Sequence, residues 1–332
     1  MAERQLPGEA HHHVPGLAGV GEPQHQGQHR QEIGVDQQRR DQQQRGPQRE
    51  QDGAAAHPAF LLGNVTPEII AEHRGWLGPR LVEDGSDRLI LSFHSYIIRT
   101  AHHTILVDTC NGNHKRRPSM MAWDMLELPY LANLAAAGVR PEDVDYVMCT
   151  HLHTDHVGWN TQLVDGRWVP TFPRAKYLFG KTEFEHFDRQ HRSRPELPVN
   201  RGSFVDSVLP VVEHGRAVMV DSHHVVEGAV GQGIWLVPSP GHTPGHVQVR
   251  VGAKDGLAVL SGDIIHHPIQ FADPTLYNPA DLDRAQAVET KLKLMNECAD
   301  SDIVLLTGHF PDPTAGRVVR HGDRFRFRFQ DS

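Results

Sequence analysis

Thr150-His151-Leu152-His153-Thr154-Asp155-His156 places three imidazoles and a carboxylate in one short run, directly after the apolar residues 146–149. His151 and His153 alternate as at the end of an extended strand, so both side chains can turn to one side. Asp155 and His156 follow where the chain must leave the strand, which aims them elsewhere. One segment can therefore serve two neighbouring metals with two ligands each. Imidazole plus carboxylate suits zinc, iron or manganese, with water as the natural remaining ligand.

A dinuclear site needs more ligands, and further strand ends offer them. Residues 235–237 form a short apolar run leading into Ser239-Pro240-Gly241-His242-Thr243-Pro244-Gly245-His246. Residues 257–260 lead into Ser261-Gly262-Asp263, and residues 303–306 into Thr307-Gly308-His309. Each run places a ligand-capable residue just beyond a buried-looking strand, beside a glycine that permits close backbone approach. Singly, Asp263 would read as a turn residue and His309 as a cap. The repetition points to one site at the edge of a sheet.

With these four motifs in order, the chain resembles the metallo-β-lactamase-fold hydrolases over residues 89–310. The resemblance implies that His151, His153 and His242 hold a first metal, that Asp155, His156 and His309 hold a second, and that Asp263 bridges them. His246 falls in the matched motif but is not a family ligand and reads as structural. The implied cofactors are two divalent metal ions, zinc foremost, with iron, manganese or cobalt as alternatives. Asp263 together with the lack of a cysteine ligand places the chain in the bridging-aspartate branch, apart from zinc β-lactamases. Within it, the segments around Asp108, Asp155 and Asp263 look most like methyl parathion hydrolase and its acyl-homoserine-lactone lactonase relatives. Lactonases often carry a tyrosine three residues after the bridging aspartate; His266 stands there, which leans toward the methyl parathion hydrolase side.

Composition separates residues 1–57 from residues 58–332. The first stretch holds twelve glutamines, six arginines against eight acids, and no aromatic residue. It cannot bury enough apolar surface to offset its chain entropy and reads as a disordered tail. The remainder is long enough for one hydrolase domain with a substantial core. The net charge of −8 opposes a nucleic-acid partner, which asks for a basic groove. His114-Lys115-Arg116-Arg117 reads as a solvated loop. No apolar run of spanning length occurs, so no membrane partner is expected, and the location reads as cytoplasmic. Cys110, Cys149 and Cys298 read as core thiols rather than a disulfide framework. The expected partner is a small-molecule substrate, and a homodimer is compatible with the chain.

Pattern gives an α/β (α+β) fold, which the resemblance makes an αββα sandwich. Residues 89–98 and 104–107 read as a hairpin, 120–137 as a helix ending at Gly138, and 146–149 as the buried strand before the histidines. Strands are expected at 167–169, 175–179 and 217–220. Helices are expected at 182–190, with Thr182 as N-cap, and at 282–298.

The implied activity is hydrolysis of small neutral esters, lactones or organophosphate triesters by a hydroxide held between two cations, which lower the pKa of their shared water. Asp263 and His266 are the catalytic candidates, Asp263 moving a proton and His266 donating a hydrogen bond. Asp108 is the candidate acceptor behind the ligands that fixes an imidazole. Trp159 and Phe271 are the aromatic residues expected to line the substrate pocket. A glyoxalase II-like thioesterase would need a cationic clamp, and none is evident. A non-catalytic metal-binding or diiron redox protein is disfavoured by the complete ligand set and by the short chain after His309.

Overall fold

The computed structural model describes residues 34–37, 54–254 and 256–330. Two sheets carry the architecture. The first orders Gly34–Gln37 (β1), Tyr96–Arg99 (β4), Thr104–Val107 (β5), Tyr146–Met148 (β6), Lys176–Gly180 (β9) and Ala217–Val220 (β10), with β5, β6, β9 and β10 mutually parallel. The second orders Val225–Ala229 (β11), Gln232–Pro238 (β12), Val247–Ala253 (β13), Gly256–Leu260 (β14), Val304–Leu306 (β15), Ala315–His321 (β16) and Arg324–Phe329 (β17). Only the β14–β15 pair in it is parallel. Ala54–Ala56 (β2) pairs with Leu89–Leu91 (β3), and Thr161–Val164 (β7) with Arg167–Pro170 (β8).

Strand periodicity explains the layering. Along β4, β5 and β6 successive apolar residues point to opposite faces, so Ile98, Ile105, Val107 and Met148 join Leu236, Val249, Leu260 and Leu306 of the other sheet in the seam between sheets. Their neighbours Ile97, Leu106 and Val147 point outward and pack with Leu134 of Tyr130–Ala136 (α3) and Phe187 of Lys181–Ser193 (α5). On the far side, Val259, Leu305 and Val318 are covered by Leu294, Met295 and Cys298 of Arg284–Cys298 (α8). Helix, sheet, sheet and helix make the expected αββα sandwich. All three cysteines are free and buried.

Several expectations need correction. The tail read over residues 1–57 lies mostly outside the described residues, which within it are 34–37 and 54–57 and include β1 and β2. The helix expected over 120–137 is reduced to a 3-10 turn at Met121–Trp123 and to α3. Pro129 disfavours helical backbone at Leu128, and the Leu128 N–H and carbonyl are both engaged by the Asn113 side chain at 2.9 Å. The expected hairpin forms between β4 and β5, which pair antiparallel, but its first strand is split: β3 ends at Leu91, and the Ser92 backbone turns to pair with His309. Thr182 is not a cap; α5 starts at Lys181 with Gly180 at the N-cap position and no side-chain cap. Helix α8 starts two residues later than expected, where the Asp283 side chain accepts from the Gln286 N–H at 3.0 Å.

The basic run at 114–117 is not a solvated loop. Lys115 and Arg117 are fully buried around Asp206. Arg117 donates to both Asp206 oxygens at 2.6 and 2.9 Å, while the Lys115 ammonium lies 3.4 Å from Asp206 and over the Trp168 ring. Burial pushes Lys115 down to about 7 despite the Asp206 charge. Asp206→Asn would leave two buried cations without their counter-charge, and should lower unfolding stability by about 3–5 kcal/mol. Urea denaturation checks this: a loss below about 1 kcal/mol would mark the cluster as solvated after all.

Candidate metal centre

The ligand motifs all follow the C-terminal ends of strands that meet at one edge of the sandwich. Strand β6 leads into His151 and His153, and then into the short helix Thr154–Val157 (α4), which carries Asp155 and His156. Strand β12 leads to His242, β14 to Asp263 and β15 to His309. At Gly262 the backbone adopts φ 52°, and a Cβ there would sit 2.8 Å from both His246 Nε2 and Thr150 Oγ1. Only glycine satisfies both conditions.

Asp263 stands at the centre. Its Oδ2 lies 3.3 Å from His242 Nε2 and 3.7 Å from His151 Nε2; its Oδ1 lies 3.2 Å from His156 Nε2 and 3.1 Å from His309 Nε2. Asp155 Oδ2 reaches the second side, 3.6 Å from His309 and 3.8 Å from His156. On the first side His153 Nδ1 faces His242 Nε2 at 2.8 Å. The donor atoms thus gather as His151, His153, His242 and as Asp155, His156, His309, with Asp263 touching both. His266 joins the first side, its Nε2 3.1 Å from Asp263 Oδ2.

The residues fit a pair of cations. His151 Nε2, His156 Nε2 and Asp263 Oδ1 are buried without a hydrogen-bond partner among the described residues, an arrangement that is costly unless something positive sits between them. Burial holds His151 and His153 well below the ordinary histidine range, in the neutral form that ligates. Burial also acts to lower His156, but the charges of Asp263, Asp108 and Asp155 outweigh it and hold the ring well above the ordinary value. That same concentration of negative charge is what a divalent cation would meet.

Behind the ligands, carboxylates and carbonyls fix the rings. His156 Nδ1 donates to Asp108 Oδ2 at 2.8 Å, and His151 Nδ1 contacts Thr150 Oγ1 at 3.1 Å, which itself donates to Asp108 at 2.8 Å. Asp108 therefore orients two ligands, as the sequence led us to expect for one. His309 Nδ1 bonds the Ser92 carbonyl at 3.0 Å, and His242 Nδ1 donates to Asp281 at 2.7 Å. His246 is structural, accepting from the Asp263 N–H at 3.0 Å. Sequence reasoning missed Asp281, and also Glu183, whose two oxygens accept from Leu152 N–H at 3.0 Å and Gly245 N–H at 2.9 Å. That carboxylate ties the two histidine-bearing segments together, yet in sequence it reads as an ordinary acid in a first helical turn.

A cavity of about 340 Å³ opens over the centre. Its floor includes His153, Asp155, His242, Asp263, His266 and His309, and its apolar wall includes Leu91, Phe60, Phe93 and Trp123. The aromatic residues expected there are elsewhere. Trp159 stacks on Tyr130 in the core beneath the helices, and Phe271 is buried against Phe310 and Phe327.

A family model described as the metallo-beta-lactamase superfamily matches residues 93–309. The chain belongs to the metallo-beta-lactamase superfamily. A probable metallo-hydrolase of Mycobacterium tuberculosis is 25% identical over 260 residues, covering 68% of this chain and 76% of that protein. The N-acyl homoserine lactonase AttM of Azorhizobium caulinodans is 28% identical over 196 residues, 55% of this chain and 64% of that one. The hydrolase AbOPH superposes with a TM-score of 0.64 at 23% identity, over 84% of this chain and 92% of that one. AidC, a dizinc quorum-quenching lactonase, superposes at 0.64 with 18% identity, over 84% and 91%. These two structural likenesses speak for the superfamily's fold. Family and ligand set together make the protein a metallo-hydrolase.

Elemental analysis of protein purified without chelator should find about two divalent metals per chain, and no more than trace metal would refute the assignment. Asp263→Ala should release at least one of them. Asp108→Asn should weaken metal affinity by about 10–100-fold in a competitive chelator titration, because two imidazoles lose their acceptor.

Proposed function

We propose that the protein is a dinuclear metal-dependent hydrolase whose reacting group is a small ester, a lactone or an organophosphate triester, with zinc as the metal the donor set favours. The observation that carries this reading is the position of Asp263, one oxygen toward each triad of ligands. Cations held there by His151, His153, His242, Asp155, His156, His309 and Asp263 would supply Lewis acidity and a water acidified toward neutrality. The chain's own groups do the rest. Asp263, buried and hydrogen-bonded to no donor through Oδ1, is placed to hold the proton of the attacking water and return it to the leaving group. His266 lines the cavity floor, and its Nε2, 3.1 Å from Asp263, can donate to a substrate or leaving-group oxygen. Phe60, Phe93 and Trp123 offer an apolar wall for an acyl or aryl group and keep bulk water from the reacting bond. The lactonases among the relatives support carbonyl substrates.

The test is a panel of p-nitrophenyl esters, aliphatic and acyl-homoserine lactones, thioesters, aryl phosphotriesters, penicillins and precursor tRNA. We expect hydrolysis of aryl esters or lactones, weaker turnover of phosphotriesters, and none of penicillins or tRNA; robust penicillin cleavage would overturn the reading. His266→Phe should lower kcat by about tenfold or more. An unchanged rate in that variant would assign His266 to packing.

A further inference from the structure

The cavity contains one cation that the chemistry above does not use. Arg201 is the single lysine or arginine among the lining residues, and among the described residues no carboxylate pairs with it. Its guanidinium has only a long contact to Ser119 Oγ at 3.5 Å and lies 5.9 Å from the centre of the Trp123 ring. Two further observations make this placement more than a surface accident.

The first is the backbone. Asn200, Arg201 and Gly202 are consecutively left-handed, with φ of 51°, 56° and 93°. Two adjacent non-glycine residues in that region are strained, and such strain persists where surroundings over-determine it. Here they do: the Asn200 side chain donates to the Leu152 carbonyl, and the Asn200 carbonyl accepts from Thr154 Oγ1 at 2.9 Å and Ser203 Oγ at 2.8 Å. Leu152 and Thr154 sit between the metal-ligand positions, so the segment presenting Arg201 is pinned directly to the ligand loop.

The second is its distance from the reacting centre. His309 meets the edge of Phe93 with ring centres 5.1 Å apart, Phe93 meets Trp123 at 5.6 Å, and Trp123 meets Arg201. An apolar wall two rings long thus runs from a metal ligand to an unpaired guanidinium. A substrate matching it has a reacting group at one end, an aliphatic or aryl arm, and a hydrogen-bond-accepting anion at the other.

Resting on the hydrolase reading above, we propose that Arg201 is a specificity-determining residue and that the preferred substrates carry a carboxylate remote from the scissile bond. A planar guanidinium matches a carboxylate with paired hydrogen bonds. The experiment compares p-nitrophenyl monoesters of adipate and suberate with the neutral hexanoate and octanoate esters. The wild-type protein should prefer the acidic ester of each pair in kcat/KM by about tenfold or more, mainly through KM, as expected for a charge-assisted hydrogen bond. Arg201→Gln should collapse that ratio toward one, and Arg201→Lys should restore part of it. A merely structural role would lower both esters together and leave the ratio intact. In parallel, calorimetry measures binding of the corresponding anilides, which keep the arm and the carboxylate. Equal use of acidic and neutral esters by the wild type, or a preference that survives in Arg201→Gln, overturns the proposal. If no ester, and no lactone or phosphotriester of the panel above, is cleaved while the acidic anilide still binds more tightly in an Arg201-dependent way, the hydrolase reading fails and the carboxylate site stands. If nothing is cleaved and the anilides bind alike, both fail.

Discussion

The Asp263 carboxylate, removed from water and ringed by imidazole nitrogens, is the constraint from which the rest of the centre follows. A buried charge of this kind is tolerable only with positive partners close on every side. Five histidines approach it within 3.7 Å, from strand ends in both sheets. Four of them, His151, His156, His242 and His309, are aimed inward by partners behind their rings, supplied by Thr150, Asp108, Asp281 and the Ser92 carbonyl. The interruption between β3 and β4 has the same origin: the chain gives up a continuous hairpin at Ser92 so that its backbone can hold His309.

The residues of the candidate centre could be named from sequence because each lies within a few positions of its strand, where local pattern and chemistry coincide. His151, His153, His242, Asp263 and His309 all follow buried runs. Asp108 was legible for a chemical reason, since a metal-binding imidazole has a second N–H to satisfy. Asp281 was not, because it lies 39 residues from the His242 it orients and nothing local marks it. Glu183 was hidden by its setting in a first helical turn, where an acid has an ordinary explanation.

The cavity was the least legible part. Its walls come from residues near 60, 92, 123, 200 and 279, brought together only by tertiary packing. Trp159 misled because closeness in sequence to a ligand loop says nothing about direction; the turn after α4 aims it at Tyr130. Phe271 follows Asp263 but belongs to an aromatic cluster beneath it. Conversely, Trp123 was assigned to a long helix, whereas it ends a single 3-10 turn, Met121–Trp123, separate from α3, and its ring lines the site. Arg201 was overlooked because a lone arginine beside a glycine carries no sequence signal of a strained, pinned backbone.

Each group of ligands draws on both sheets: His151 and His153 against His242, and Asp155 and His156 against His309. Bound cations would therefore act as cross-links between segments far apart in the chain, closing loops much as a disulfide does and removing conformations from the unfolded ensemble. The seam between the sheets is filled by non-directional apolar contacts, with directional ties such as Tyr96 to the Thr307 carbonyl at 2.6 Å and Glu183 to both histidine-bearing segments. Ligands converging across it would add stronger cross-links to those ties. Free metal concentration would then set the resistance of the whole fold to unfolding as well as its chemistry, by mass action on the native state.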